Sequence, residues 1–168
     1  MHKFNLLYTW FIRTVTYWLP DQPIIMRLRG KLYGYRMKSC GRNFQVSSNV
    51  ILRTLENLTV GDDVYLAPNV VINCSDTITI ESEVLIGFNV VVVSSNHSIL
   101  NGSYRFGTSI DKPIFIGFGS WIGANSTVLA GSYISKSVVI GANSVTNKFV
   151  ESGGIYAGSP VKCLKKIS

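Results

Sequence analysis

The chain has 168 residues, 46% hydrophobic and only 15% charged, which is enough apolar material for one core and excludes an acidic disordered chain. Its three cysteines, Cys40, Cys74 and Cys163, are odd in number and lack CxxC spacing, which excludes a disulfide framework and indicates no zinc site. Net charge is +7, but residues 1–42 carry eight basic side chains against one acid, Asp21, while residues 43–168 balance to zero. The excess therefore describes a segment, and the cysteines read as free thiols in a reducing compartment.

Residues 4–19 form an apolar helical window that is shorter than the roughly 20 residues needed to span a bilayer, with Arg13 in its middle. Pro20-Asp21-Gln22-Pro23 stops it, and a second helix rich in Arg, Lys and Tyr is predicted over about 24–38. Leu7, Phe11, Val15 and Trp18 fall on one side of the first helix, with Leu6, Trp10 and Tyr17 flanking them. Such a pair of helices covers an end of the main domain, or lies on an anionic membrane surface where Trp, Tyr and Lys/Arg are all favourable. No nucleic-acid-binding motif accompanies the charge. The expected location is the cytoplasm, at the inner face of the membrane in the surface reading.

From Val60 onward an aliphatic residue recurs every sixth position: Val60, Leu66, Ile72, then after a two-residue slip Ile80, Ile86, Val92, and again Ile116, Ile122, Val128, Ile134, Ile140. A second column, four residues on, reads Val64, Val70, Val84, Val90, then Ser120, Ser126, Ser132, Val138, Ser144. Neither an alternating strand nor a 3.6-residue helix gives period six. Three short strands per coil do, with the aliphatic inward and glycine or polar residues at the corners. The expected fold is mainly β, a parallel β-helix over 43–168 with about 18 residues per coil and a helical segment over 1–42.

The stretches VGDDVYLAPNVVI, IGFGSWIGANSTVLAGSYI, VIGANSVTNK and YAGSPVKCLKKI resemble the left-handed β-helix hexapeptide-repeat acetyltransferases, in the branch of galactoside, maltose and polysaccharide O-acetyltransferases. The similarity covers roughly 58–168. It implies acetyl-CoA as co-substrate, direct acetyl transfer without an acyl-enzyme, no metal, and a homotrimer with sites between subunits. Matched to the galactoside enzyme, Trp121, Ala124, Ala142, Asn147, Lys148, Lys162 and Lys165 fall at cofactor positions, with the amide of Ala124 at the thioester oxygen. Lys162 and Lys165 stand where that enzyme has arginines and Asn147 where it has threonine; lysine keeps charge but loses bidentate phosphate geometry. On the acceptor side Tyr65 matches a contact tyrosine, whereas Ala67 and Ser75, with Asp76 adjacent, replace an asparagine and an aspartate. These departures argue against a galactoside or maltose acceptor, and the basic, aromatic N-terminus resembles that of capsule or O-antigen O-acetyltransferases, which implies a bacterial surface glycan.

Between Val92 and Ile116 the repeat lapses into SSNHSILNGSYRFGTSIDKP, a predicted loop over 94–115 whose inward positions, Ser98, Tyr104 and Ile110, make a poor core column. His97 opens it. A sugar hydroxyl attacking a thioester must lose its proton as the bond forms, and neutral imidazole, with a pKa of about 6.5, can take it. The group that orients the ring is open between Asn96 and Asp76. With only His2 and His97, the three-histidine zinc site of a γ-type carbonic anhydrase is excluded. Amino-sugar N-acetylation, streptogramin-type O-acetylation and a non-catalytic scaffold stay open as alternatives.

Overall fold

The computed structural model describes residues 2–167, with side chains from Asn5 onward. The chain winds through three parallel sheets, always in the same order. The first face stacks Ser39–Cys40, Leu58–Val60, Ile78–Ile80, Ile114–Ile116, Tyr133–Ile134 and Phe149–Val150. On the second face lie Gln45–Val46, Tyr65–Leu66, Leu85–Ile86, Trp121–Ile122, Val139–Ile140 and Gly154–Ala157. The third carries Ile51–Arg53, Val71–Asn73, Val91–Val93, Thr127–Leu129 and Val145–Thr146. The hexad aliphatics fill the interior: Leu66, Ile72, Ile86, Val92, Ile122, Val128 and Ile140 are fully buried. The expected β-solenoid is the fold.

Two details differ from the reading of the sequence. The solenoid begins at Ser39, which pairs with Thr59, ahead of the boundary expected at 43. A first coil hidden in the sequence has Phe44, Val46, Val50 and Leu52 inside. Coil length is also not constant. Gln45 pairs with Tyr65 and Tyr65 with Leu85, a 20-residue step; Trp121 pairs with Val139, an 18-residue step; Val139 pairs with Ile155, a 16-residue step. The two extra residues of each early coil sit at the corner from the third face to the first, where buried Leu55 and Cys74 fill the added space. Burial pushes the Cys74 thiol far above its ordinary range, so it stays protonated and is part of the core.

The second-to-third corner is built on left-handed backbone. Asn69, Asn89, Asn125 and Asn143 have φ between 55° and 65°, a region asparagine tolerates better than other side chains. Their amides form a ladder: Asn69 Nδ2 donates to Asn89 Oδ1 (2.8 Å) and Asn89 Nδ2 to Asn125 Oδ1 (2.9 Å). Beside it, Gly123 permits close stacking of coils, since a Cβ there would lie 2.6 Å from Ala142 N and 2.7 Å from Ile140 O.

The helices α1 (His2–Thr16) and α2 (Pro23–Gly34) cap the first coil and are shorter than the sequence windows. A Cβ on Gly30 would meet Phe44 O at 2.0 Å, so α2 rests directly on solenoid backbone. Arg29, 1% exposed, ends α1: its guanidinium donates to the carbonyls of Thr16 (3.0 Å), which also accepts the Leu19 amide, and Leu19 (2.6 Å), and it pairs with Asp21 (2.6 Å). The same carboxylate accepts the Ser48 amide at 2.9 Å, which ties the interhelical turn to the solenoid. α1 turns its apolar side away from the solenoid. Asn5, Thr9, Ile12 and Thr16 face inward, while Leu7, Trp10, Phe11, Val15 and Trp18 face out.

Candidate active site

The predicted loop is a hairpin. Ser95–His97 pairs antiparallel with Ser109–Asp111, matching His97 with Ser109. It leaves the solenoid at the third-to-first corner, where its base is tied down. Ser94 is buried; its hydroxyl donates to Asp76 O (2.9 Å) and accepts from Asp76 N (2.9 Å). Past His97 the strands touch: Ser98 N donates to Thr108 O at 2.9 Å, and a Cβ on Gly107 would fall 1.8 Å from Ser98 O. His97 therefore sits on a braced neck with an exposed side chain, and its ring makes no hydrogen bond among the described residues. Tyr104 and Ile110 are exposed, as a non-core column requires.

Neither group considered for orienting the ring does so. The Asp76 carboxylate accepts from Thr77 N (2.6 Å) and Thr77 Oγ1 (2.8 Å), closing its own turn. Asn96 adjoins His97 in a strand, and strand side chains alternate sides.

The cofactor candidates gather around the second-to-third corner, with two exceptions. Ala124 and Ala142 occupy the same corner position one coil apart, since Asn143 N donates to Ala124 O at 2.9 Å. The Ala124 amide makes no hydrogen bond among the described residues and is half-buried, so it is a donor in search of an acceptor. Trp121 lies on the second face between Leu85 and Val139, with half its surface exposed. The tail strand brings Lys162 beside Ala157 and Lys165 beside Ile155, both exposed. Asn147 and Lys148 instead follow Val145–Thr146 at the far edge of the third face, where Lys148 O accepts from Tyr133 N.

The acceptor candidates divide as well. Tyr65 is half-buried on the second face, in the column of Leu85 and Trp121. Ala67 is 1% exposed and belongs to the core cluster. Ser75 and half-buried Asp76 lie at the hairpin's base. One residue missed in the sequence is Phe88, 55% exposed, whose carbonyl accepts from Asn125 N and which holds the corner position of Ala124 one coil earlier. The signal was its place directly after Gly87, matching Gly123-Ala124 and Gly141-Ala142.

Within one chain, then, His97 and the Ala124–Ala142 corner stand at opposite edges of the third face. The third-face strands are three residues or shorter, and the stretch from Asn89 to Ser94 that joins those edges spans about 17 Å of extended backbone.

No protein-family profile matches the chain. In sequence it is similar to WbbJ of Escherichia coli strain K12, named as a lipopolysaccharide biosynthesis O-acetyl transferase, at 29% identity over 153 residues, 79% of this chain. The chain spans 66% of that relative's length. In structure it is similar to a galactoside acetyltransferase solved with coenzyme A, with TM-score 0.87 and 25% identity, covering 99% of this chain and 82% of that one. It is likewise similar to a hexapeptide-repeat acetyltransferase of Vibrio cholerae solved with acetyl coenzyme A, with TM-score 0.86 and 24% identity, covering 99% and 88%. The chain thus has the parallel β-solenoid fold of hexapeptide-repeat acetyltransferases. Its sequence relatives include O-acetyltransferases, in agreement with the resemblance read from its motifs.

Proposed function

We propose that the protein is an acetyltransferase that moves acetyl from acetyl-CoA to a hydroxyl of a sugar in a bacterial surface glycan. The observation that carries this reading is His97, held outward on a braced hairpin with an imidazole that makes no hydrogen bond among the described residues. A ring so placed is available to a hydroxyl. In the proposed step the His97 ring nitrogen takes the hydroxyl proton as the sugar oxygen bonds to the thioester carbonyl carbon. The negative charge that gathers on the carbonyl oxygen is met by the Ala124 amide. Collapse breaks the carbon–sulfur bond, and the departing CoA thiolate recovers the proton from the imidazolium.

The residues present suit coenzyme A. Alanines at successive corners leave backbone accessible to a slender pantetheine arm, and Lys162 and Lys165 offer cations to its phosphates. Similarity to WbbJ, through its name, supports a surface-glycan acceptor.

A homotrimer completes the proposed site by setting the hairpin of one subunit against the Ala124–Ala142 corner of the next. Two features support assembly. The first face carries an outward stack of Phe115, Tyr133 and Phe149, with centroids 4.7 and 5.4 Å apart. The hairpin tip exposes Ile99, Tyr104 and Phe106. Both are apolar surfaces that a second copy would cover.

Acetyl transfer from labelled acetyl-CoA across a panel of glycans, read by mass, tests the function. Transfer to a glycan hydroxyl is the expected result. Absence of transfer and of hydrolysis, with no change in melting temperature on adding coenzyme A, would leave a non-catalytic solenoid.

A further inference from the structure

The packing of α1 turns its more polar face to the protein and its more apolar face to solvent. Inside are Asn5, Thr9 and Thr16 with the single aliphatic Ile12, all nine-tenths buried or more. The polar groups are satisfied there: Arg36 donates to Asn5 Oδ1 at 2.9 and 3.1 Å, and Thr16 Oγ1 donates to Ile12 O at 2.8 Å. Outside, Leu7, Trp10, Phe11 and Val15 form one stripe at helical spacing, and Trp18, in the turn just after the helix, is 85% exposed. Amphipathic helices on a soluble core point the other way. The stripe is therefore built for contact with something apolar beyond the chain.

The charge around it names the contact. Among the described residues of the two helices and the turn between them the only acid is Asp21, and Arg29 already holds it. Arg13, Arg27, Lys31 and Lys38 make no ion pair among the described residues. Arg27, Lys31 and Lys38 line a cleft of about 580 Å³ between α2 and the first coil, alongside Tyr35 and Met37. Arg13 lies beside Tyr17 and Trp18, and an apolar, aromatic face on the same capping helices as these cations suits the interfacial zone of an anionic bilayer. Trp and Tyr rings are favourable at headgroup depth, and Lys and Arg meet lipid phosphates. No described helix is long and apolar enough to cross a membrane, so the contact would be one of lying on the surface.

We propose that the capped end of the solenoid is a docking surface for an anionic membrane, with the outer face of α1 inserted at headgroup level. This does not depend on the acetyltransferase reading, and its test does not use activity.

The full chain is mixed with vesicles of phosphatidylcholine alone and of phosphatidylcholine with phosphatidylglycerol, then sedimented, with tryptophan emission recorded. The expected result is binding to the anionic vesicles with a blue shift, weak binding to the neutral ones, and loss of binding with added salt. A Trp10→Ser/Phe11→Ser/Trp18→Ser variant should bind at least about tenfold more weakly. An Arg27→Gln/Lys31→Gln/Lys38→Gln variant should lose the preference for anionic lipid while keeping its melting temperature. The substituted α1 positions are exposed, so folding should survive; circular dichroism of each variant checks this. Absence of binding to either vesicle overturns the proposal, as does undiminished binding of the α1 variant. A fall in the protein's oligomeric state in the α1 variant, with no vesicle binding by the parent, would make a second copy the occupant instead.

Discussion

Before the hairpin the second inward column is valine, at Val64, Val70, Val84 and Val90; after it, serine takes the place at Ser120, Ser126, Ser132 and Ser144, with Val138 the one exception. Every one of these side chains is buried. The valines fill 20-residue coils with apolar volume. The serines, in the shorter coils, tie each coil to the next: Ser126 Oγ donates to Gly141 O (2.9 Å) and accepts from Ser144 N (3.2 Å), and Ser120 Oγ joins Ser135 O to Val138 N in the same way. One half of the solenoid is held by bulk and the other by hydrogen bonds that fix where backbone atoms lie. The candidate cofactor positions Ala124 and Ala142 belong to the second half. A site that works through main-chain amides gains from backbone held at fixed spacing.

Several substitutions would break or sharpen this contrast, beginning with the largest effect. His97→Ala should lower acetyl transfer by roughly 10²–10⁴-fold with an unchanged melting temperature, because the side chain is exposed and unbonded. Near-normal turnover would remove His97 as the base. Gly123→Ala drives a methyl into the Ala142 amide and should cost about 2–4 kcal/mol in denaturant unfolding. An unaltered midpoint would mean that the short coils are not tightly stacked. Ser126→Val converts one half's solution into the other's and strands Gly141 O and Ser144 N; a loss of about 1–3 kcal/mol is expected. A gain in stability would show that the serines serve no bridging role.

The smallest effect lies at the cap. Burial pushes the Tyr33 hydroxyl from 10.0 up to about 12. Its folded pKa is raised, so the stabilisation it contributes is complete below pH 10 and is lost as pH rises through about 12. Melting temperature measured across that window should fall less steeply in Tyr33→Phe than in the parent; parallel curves would refute the assignment.

Much of this architecture could be read from period alone. Eleven aliphatics in one register define inward positions whatever the coil length, because each must be buried for the coil to close. The aliphatic column is harder to follow into the first coil because the step from Leu52 to Val60 carries the two-residue corner insertion, and Cys40 stands where later coils have an aliphatic before the glycine. The packing of α1 could not be foreseen. Periodicity identifies an apolar stripe but not which way it faces, and here the guanidinium of Arg29 and the amide of Asn5 decide the orientation through partners distant in sequence. At the site, His97 and the small corner residues were legible as residue types at fixed spacing. The burial of Ala67 was not, since whether a corner side chain turns in or out depends on the coil it sits in.

The shortening of the coils from 20 to 18 to 16 residues bears on how the solenoid stops. A stack of parallel strands has an open edge at each end, and nothing in hydrogen bonding forbids another chain from adding there. Here the cross-section narrows until one short tail can close it. Val161 and Tyr156 plug the interior, Gly158 O and Val161 N bond to Val145, and Lys162–Lys166 covers Gly154–Ala157 from outside. With the two helices seated on the opposite mouth, each end of the described solenoid is met by a segment of the chain itself.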